Sequence, residues 1–121
     1  MARPGDHPFP KEARLRKRAE YLKVQREGQR VESRAFIGLF PAGASPATRL
    51  GITTTRRFGR AVERNRARRL VREAFRRRRM DLPLGVDLIV IPKRRALELD
   101  TLQLFDDLSR LGRSVREALE R

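Results

Sequence analysis

Between Arg56 and Arg79, twelve of 24 residues are arginine and only Glu63 and Glu73 are acidic. A guanidinium is planar, permanently charged and carries a donor fork that bridges phosphate oxygens or stacks on bases, and Asn65 adds an amide donor and acceptor. At about 100° per residue, Ala67, Leu70, Val71, Ala74 and Phe75 fall in one sector of a helix over residues 60–79. Arg68, Arg72, Asn65, Arg76, Arg69 and Arg79 lie roughly opposite, with Arg66 to one side and Arg64 near the boundary. Such a ridge is unfavourable alone, since like charges at i,i+4, as in Arg64/Arg68 and Arg68/Arg72, repel by about 0.2–0.5 kcal/mol per pair. A polyanion that neutralises the ridge is the economical explanation; the bland alternative is a solvated helix face. Elsewhere the chain is poor in reactive groups. It has one histidine, His7, and no cysteine; Asp106 and Asp107 are too close in sequence to share a helix face, and no acid–base or metal constellation stands out. No catalytic residue and no metal ligand is therefore expected in the protein.

The whole composition points the same way. The 121 residues carry 30 basic and 15 acidic side chains, a net charge of +15, and the isoelectric point is near 11.7. Self-repulsion of that size favours a polyanionic partner, nucleic acid first. The excess is uneven: net +6 over residues 1–55, +10 over 56–79, +1 over 80–95 and −2 over 96–121, the pattern of a localised phosphate-binding surface. Arginine makes up 26 of the 30 basic residues, a bias that genome composition or adaptation to heat would also produce. Hydrophobic residues at 39% suffice for a small core, and a chain of this size buries roughly 65% of its unfolded surface. The lack of cysteine excludes a disulfide scaffold or a cysteine-based zinc finger and suits the cytoplasm. The most continuous apolar run, Leu88-Ile89-Val90-Ile91, is far short of the roughly 20 residues that span a bilayer, and Met1–Pro10 has no signal-like apolar region.

Residues 1–10, with Pro4, Gly5, Pro8 and Pro10, read as a flexible lead-in, and residues 11–121 as a single domain. From Lys11, Leu15, Ala19, Tyr21, Leu22 and Val24 suit an amphipathic helix ending near Gly28. Val31–Phe40 and Leu50–Thr55 read as strands and as antiparallel neighbours, separated by the turn-forming residues Pro41–Pro46. After the long basic helix, Pro83 and Gly85 precede a short β-branched run, Val86–Ile91, that suits a buried strand closed by Pro92. Leu102, Phe105, Leu108, Leu111, Val115 and Leu119 predict a final helix laying one apolar stripe on the core. Phe36, Phe58, Phe75 and Phe105 are candidate core residues. Helix, strands, helix, strand, helix argues for a sandwich with a sheet of about four strands.

Residues 56–75, RRFGRAVERNRARRLVREAF, closely resemble the signature segment of the bacterial ribonuclease P protein component, built around Arg64-Asn65-Arg66. The resemblance runs from about Lys11 through the last helix and takes in Gly28, the Leu50–Arg57 approach and the Gly85–Ile91 strand. It implies an α+β two-layer sandwich of order α-β-β-β-α-β-α, ribosomal protein S5 domain 2-like, with a left-handed β-α-β crossover where the general rule would give a right-handed one. It also implies an accessory role in endonucleolytic removal of the 5′ leader from precursor tRNA. The partners are then ribonuclease P RNA and precursor tRNA with its leader, with no membrane and no obligate protein partner; the RNA subunit is required and it, with the substrate, holds the Mg2+. By the same resemblance Arg64, Asn65, Arg66, Arg68, Arg69 and Arg72 meet the catalytic RNA, and Arg56, Arg57, Arg60 and Arg76 extend that surface. The leader would lie in a cleft between the first helix and the sheet, beside Tyr21, Ile37, Leu39, Thr53 and Thr55, with Phe36 on the opposite face. Gln25 stands where relatives often have Phe, and Leu39 where Tyr can occur, which implies weaker stacking. Three other readings share parts of this profile: a structural ribosomal or chaperone-like RNA binder, a DNA-binding protein, and a nuclease active without RNA.

Overall fold

The computed structural model describes residue 14 and residues 18–41, 48–83 and 85–120. The expected lead-in with His7, the stretch holding Lys11 and Leu15, and most of the Pro41–Pro46 turn lie outside the described residues. The elements are α1 (Arg18–Glu27), β1 (Gln29–Glu32), β2 (Phe36–Phe40), β3 (Arg49–Ile52), α2 (Ala61–Arg78), β4 (Asp87–Pro92) and α3 (Thr101–Leu119), with short 3-10 turns at Arg56–Phe58, Arg79–Asp81 and Arg94–Leu97. Among the described residues three helices and a four-stranded mixed sheet make an α+β fold. No helix among the described residues is long and apolar enough to cross a membrane.

The sheet order is β1-β2-β4-β3. β1 and β2 form a hairpin, β4 runs antiparallel to β2 with Ile37 opposite Ile91, and β3 runs parallel to β4 with Gly51 opposite Ile89. Two strand expectations are thereby corrected. The run Val31–Phe40 is two strands, broken at Ser33–Ala35, and β3 is not paired with β2, because β4 lies between them. The reason is burial: Leu88, Ile89 and Val90 are covered on both faces, so β4 takes the centre, and a parallel β3–β4 pair requires a long crossover, which α2 supplies. The third strand is also shorter than expected, since beyond Ile52 only Thr53 N–H still donates to Val90 O, at 3.1 Å.

Alternation divides the sheet into two faces. Phe36, Phe40, Leu50, Leu88 and Val90 meet Val71, Ala74 and Phe75 of α2 and Leu104, Leu108, Leu111 and Val115 of α3 in the main core. On the other face Val24 of α1 packs on Ile89, with Tyr21, Leu39 and Ile91 against them. Phe58 is buried and Phe105 partly so. The stripe expected on α3 is shifted: Leu102 is 62% exposed and Leu104 is buried in its place. A spacing of three falls about 60° short of a full turn, so 102, 105 and 108 spiral around the helix, whereas 104, 108, 111 and 115 stay on one side.

α3 begins with a reciprocal cap, Gln103 N–H to Asp100 Oδ1 at 2.8 Å and Asp100 N–H to Gln103 Oε1 at 3.1 Å, a pattern that satisfies two otherwise orphaned donors. One turn on, Asp107 is buried and accepts from Ser33 Oγ at 2.7 Å, Ala35 N at 2.8 Å and Arg34 N at 3.2 Å. It pins the β1–β2 turn to α3. Asp107→Ala strands these donors, and its expected cost is roughly 2–4 kcal/mol of unfolding free energy in urea; Ser33→Ala, which removes one donor instead, is expected to cost about 1 kcal/mol.

Candidate nucleic-acid interface

The start of α2 is held by a knot of charges. Arg60 N–H donates to Glu63 Oε1 at 3.0 Å, and Arg94, from the turn after β4, donates to Glu63 Oε2 at 2.7 Å and to Phe58 O at 3.1 Å. The same guanidinium lies 5.5 Å from the centroid of the Phe58 ring, a cation–π arrangement. Gly59, at φ 158 and ψ −163, sits beneath the pair; a Cβ there would stand 2.6 Å from Glu63 Oε1 and 2.7 Å from Arg94 Nη1, so any other residue would push the ion pair aside. Its carbonyl accepts from Arg64 Nη1 at 2.7 Å. The Arg60 N–H first, and then Arg94, hold the Glu63 carboxyl below its ordinary range.

From this anchored start α2 runs eighteen residues. Ala67, Val71, Ala74 and Phe75 are buried, while Asn65, Arg66, Arg69 and Arg72 are exposed. Among the described residues Arg66, Arg69 and Arg72 have no ion-pair partner, and neither do Arg56 and Arg57 on the preceding 3-10 turn. Arg68 donates to Asn65 Oδ1 at 3.3 Å. Arg76 and Arg77 share Glu73, at 3.0 and 3.1 Å, so Arg76 reaches the ridge partly neutralised. Arg79 does not belong to the ridge: it falls in the turn after α2 and lies over the Phe75 ring at 5.6 Å. Arg64 is half-buried at the boundary, and Arg60 is exposed beside it.

On the opposite face of the sheet a half-buried apolar strip, termed the trough, runs beside α1. Its floor is Ile37 and Leu39 of β2 beside Ile91 of β4, all half-buried, and its wall is α1. Arg49 holds that wall down: it pairs with Glu20 of α1 and makes two bonds to Asp87, at 2.8 and 2.9 Å. The Asp87 hydrogen bonds hold its guanidinium more firmly protonated than an ordinary arginine. Tyr21 packs on Gly51, where a Cβ would stand 2.8 Å from the ring, and its hydroxyl accepts from Ile52 N–H at 3.2 Å. Thr53 continues β3 on this face; Thr55 is exposed and precedes the Arg56–Phe58 turn. Along the β1 rim, Glu32 is held ionised by Lys93 first and Arg30 next. The described residues bring no three His, Asp or Glu side chains together in a metal-binding group.

This arrangement has clear relatives. The ribonuclease P family profile matches residues 9–116. The ribonuclease P protein component of Desulforapulum autotrophicum is 37% identical over 111 residues, covering 92% of this chain and 95% of that one. The chain belongs to the ribonuclease P protein family. Among solved ribonuclease P proteins, that of Thermotoga maritima superposes with a TM-score of 0.72 at 35% identity, over 82% of this chain and 94% of that one. A Staphylococcus aureus ribonuclease P protein superposes with a TM-score of 0.74 at 28% identity, over 88% and 90%.

Within this ribonuclease P protein, three supporting residues escape sequence reasoning. Ile91 joins the trough through the same period-two alternation that selects Ile37 and Leu39, and could have been found that way. Arg94 lies 31 residues from its partner Glu63, and Arg49 joins Glu20 to Asp87 across two elements, so no local signal marks either. Because the Glu63 carboxyl is depressed in the folded state, its contribution is fully present above the ordinary glutamate value of 4.5 and is lost as pH falls through the folded value. The melting-temperature gap between the protein and Glu63→Gln is therefore expected to be constant above about pH 5 and to close in more acid solution. Tyr21 is the chain's one tyrosine and there is no tryptophan, so emission reports on this contact alone. Gly51→Ala is expected to displace the ring, altering that emission and costing about 1–3 kcal/mol in urea unfolding.

Proposed function

We propose that the exposed arginines of α2 clamp phosphates of ribonuclease P RNA while the trough beside α1 takes the single-stranded 5′ leader. Ribonuclease P is an endoribonuclease of tRNA 5′ maturation; the chain is its accessory protein subunit, working with ribonuclease P RNA on precursor tRNA. The observation that carries the residue-level reading is the set Asn65, Arg66, Arg69 and Arg72, exposed along one helix opposite its buried stripe. Arg56, Arg57, Arg60 and Arg64 extend this surface at the helix start, and Arg68 and Arg76 flank it. Neutralising phosphates there releases condensed counterions, so binding is strong and salt-dependent.

In the trough, Ile37 and Leu39 offer an apolar floor for unpaired bases and Tyr21 an aromatic edge, with Thr53 at one end. The Tyr21 hydroxyl is already engaged with Ile52, so the ring rather than the phenol oxygen is the contact offered to RNA. Leader contacts exist in precursor and vanish in product, which favours substrate over mature tRNA. The catalytic centre, with its Mg2+, is assigned to the RNA and substrate. Protein arginines replace part of the counterion atmosphere that Mg2+ would otherwise supply, and a cytoplasmic setting accompanies this role.

The deciding experiment is leader cleavage at low magnesium by ribonuclease P RNA with and without the protein, beside a protein-only control. Rescue only by the pair is expected; tight binding without rescue would make the chain a structural RNA binder, and cleavage by protein alone would refute an RNA-centred mechanism. Arg72→Ala is expected to lower the salt slope of RNA-subunit binding by about one unit. Tyr21→Ala is expected to cut the preference for precursor over mature tRNA by about 1–3 kcal/mol if its ring stacks on a base; equal loss for both ligands would reject that contact.

A further inference from the structure

Beyond the ridge and the trough, the surface holds a second concentration of arginine. A concave pocket of about 390 Å3 lies where the end of α2 meets α3, and Arg78, Arg110, Arg113 and Arg116 contribute to its walls. The last three recur every third residue along α3 and are exposed; none has an ion-pair partner among the described residues. The two aspartates in the pocket are committed to its walls. Asp106 holds Arg78 at 2.8 Å, and Asp81 accepts from Ser109 Oγ at 2.8 Å. Four arginines against two aspartates leave the concavity net positive. Three unneutralised guanidinium groups on successive turns repel one another, and a shared anion removes that repulsion.

We infer that this pocket is a second phosphate-binding site, which grips backbone phosphates of the ribonuclease P RNA subunit separately from the α2 ridge. The inference rests on the accessory-subunit reading and adds a contact to it. The lining favours backbone over bases: no aromatic ring contributes to it, and the apolar group at its rim is Met80, 92% exposed. Guanidinium forks without stacking partners recognise phosphate geometry, not unpaired bases. That points to a structured element of the RNA subunit, with the leader left to the opposite face. Arg78 connects the two basic surfaces, since it closes α2 and turns toward α3.

The test compares the full-length protein with Arg110→Ala/Arg113→Ala/Arg116→Ala, measuring affinity for ribonuclease P RNA across monovalent salt. The salt slope of the triple variant is expected to fall by about two to three units, at close to 0.9 unit per lost phosphate contact. Its preference for precursor over mature tRNA is expected to stay unchanged. A triple-lysine variant, which keeps the charge, is expected to retain most of the slope. A slope equal to wild type overturns the proposal, as does a lysine variant as weak as the alanine one, which would point to a damaged helix. Loss of precursor preference with the slope intact would assign the pocket to the leader and overturn it too. Arg69→Ala/Arg72→Ala, measured alongside, separates failures: a reduced slope there with none in the α3 variant sinks the pocket alone, and no change in either sinks the ridge reading as well.

Discussion

The double duty of α2 is the constraint on which the molecule depends. One helix must bury enough apolar surface to stay on the sheet and at the same time carry a row of cations whose mutual repulsion works against it. Val71 and Phe75 are fully buried, and each such side chain contributes about 1.5–3 kcal/mol, against about 0.2–0.5 kcal/mol for each repelling pair on the outer face. Burial wins, and the ridge is held rigidly where a flexible basic tail would have to be ordered on binding. Glu63 and Glu73, the acidic residues of α2, do not oppose the ridge at its middle. Glu63 is taken up by Arg60 and Arg94 in anchoring the helix start, and Glu73 by Arg76 and Arg77 near its end.

The sheet separates the basic face of α2 from the half-buried apolar strip beside α1. With β4 at its centre, alternate residues of the same strand serve opposite purposes: Leu88 and Val90 belong to the core under α2 and α3, and Ile89 and Ile91 to the α1 side. Because α1 covers only part of its face, Ile37, Leu39 and Ile91 remain half-exposed as an apolar floor. Arg49 and Tyr21 keep that partial cover in register. The arginine bridges Glu20 and Asp87, and the tyrosine occupies the space above Gly51 while satisfying the outward N–H of Ile52 on an edge strand. Tyr21 is thus part of the scaffold as well as of the trough wall, which explains an aromatic group at a position that is only half-buried.

Surface charges act over about 8–10 Å at physiological ionic strength, so the location of each arginine decides which external charge it can reach. Neighbouring arginines in the sequence have different fates. Arg72 is exposed, Arg76 shares Glu73, Arg78 turns into the α2–α3 groove, and Arg79 covers Phe75. The charge count of the segment therefore overstates the number of cations presented on any one face.

The long basic helix, its buried stripe and its exposed arginines are legible from the residues alone, because helical period and charge are local properties. The sequence also placed Ile37 and Leu39 opposite Phe36, since strand alternation needs no partner. It misjudged strand pairing, because β4 enters between β2 and β3 only after a crossover of more than thirty residues, and the gain from burying Leu88, Ile89 and Val90 on both faces is a property of the assembled sheet. A spacing of three points Leu102 at the core but drifts around the helix, and the surface α3 rests on selects Leu104 instead. Asp107, Arg49 and Arg94 carry no local mark of their importance. Their partners are 29 to 74 residues away, and a charge buried against backbone donors or bridging two elements acquires its meaning only when the tertiary structure brings those groups within hydrogen-bonding distance.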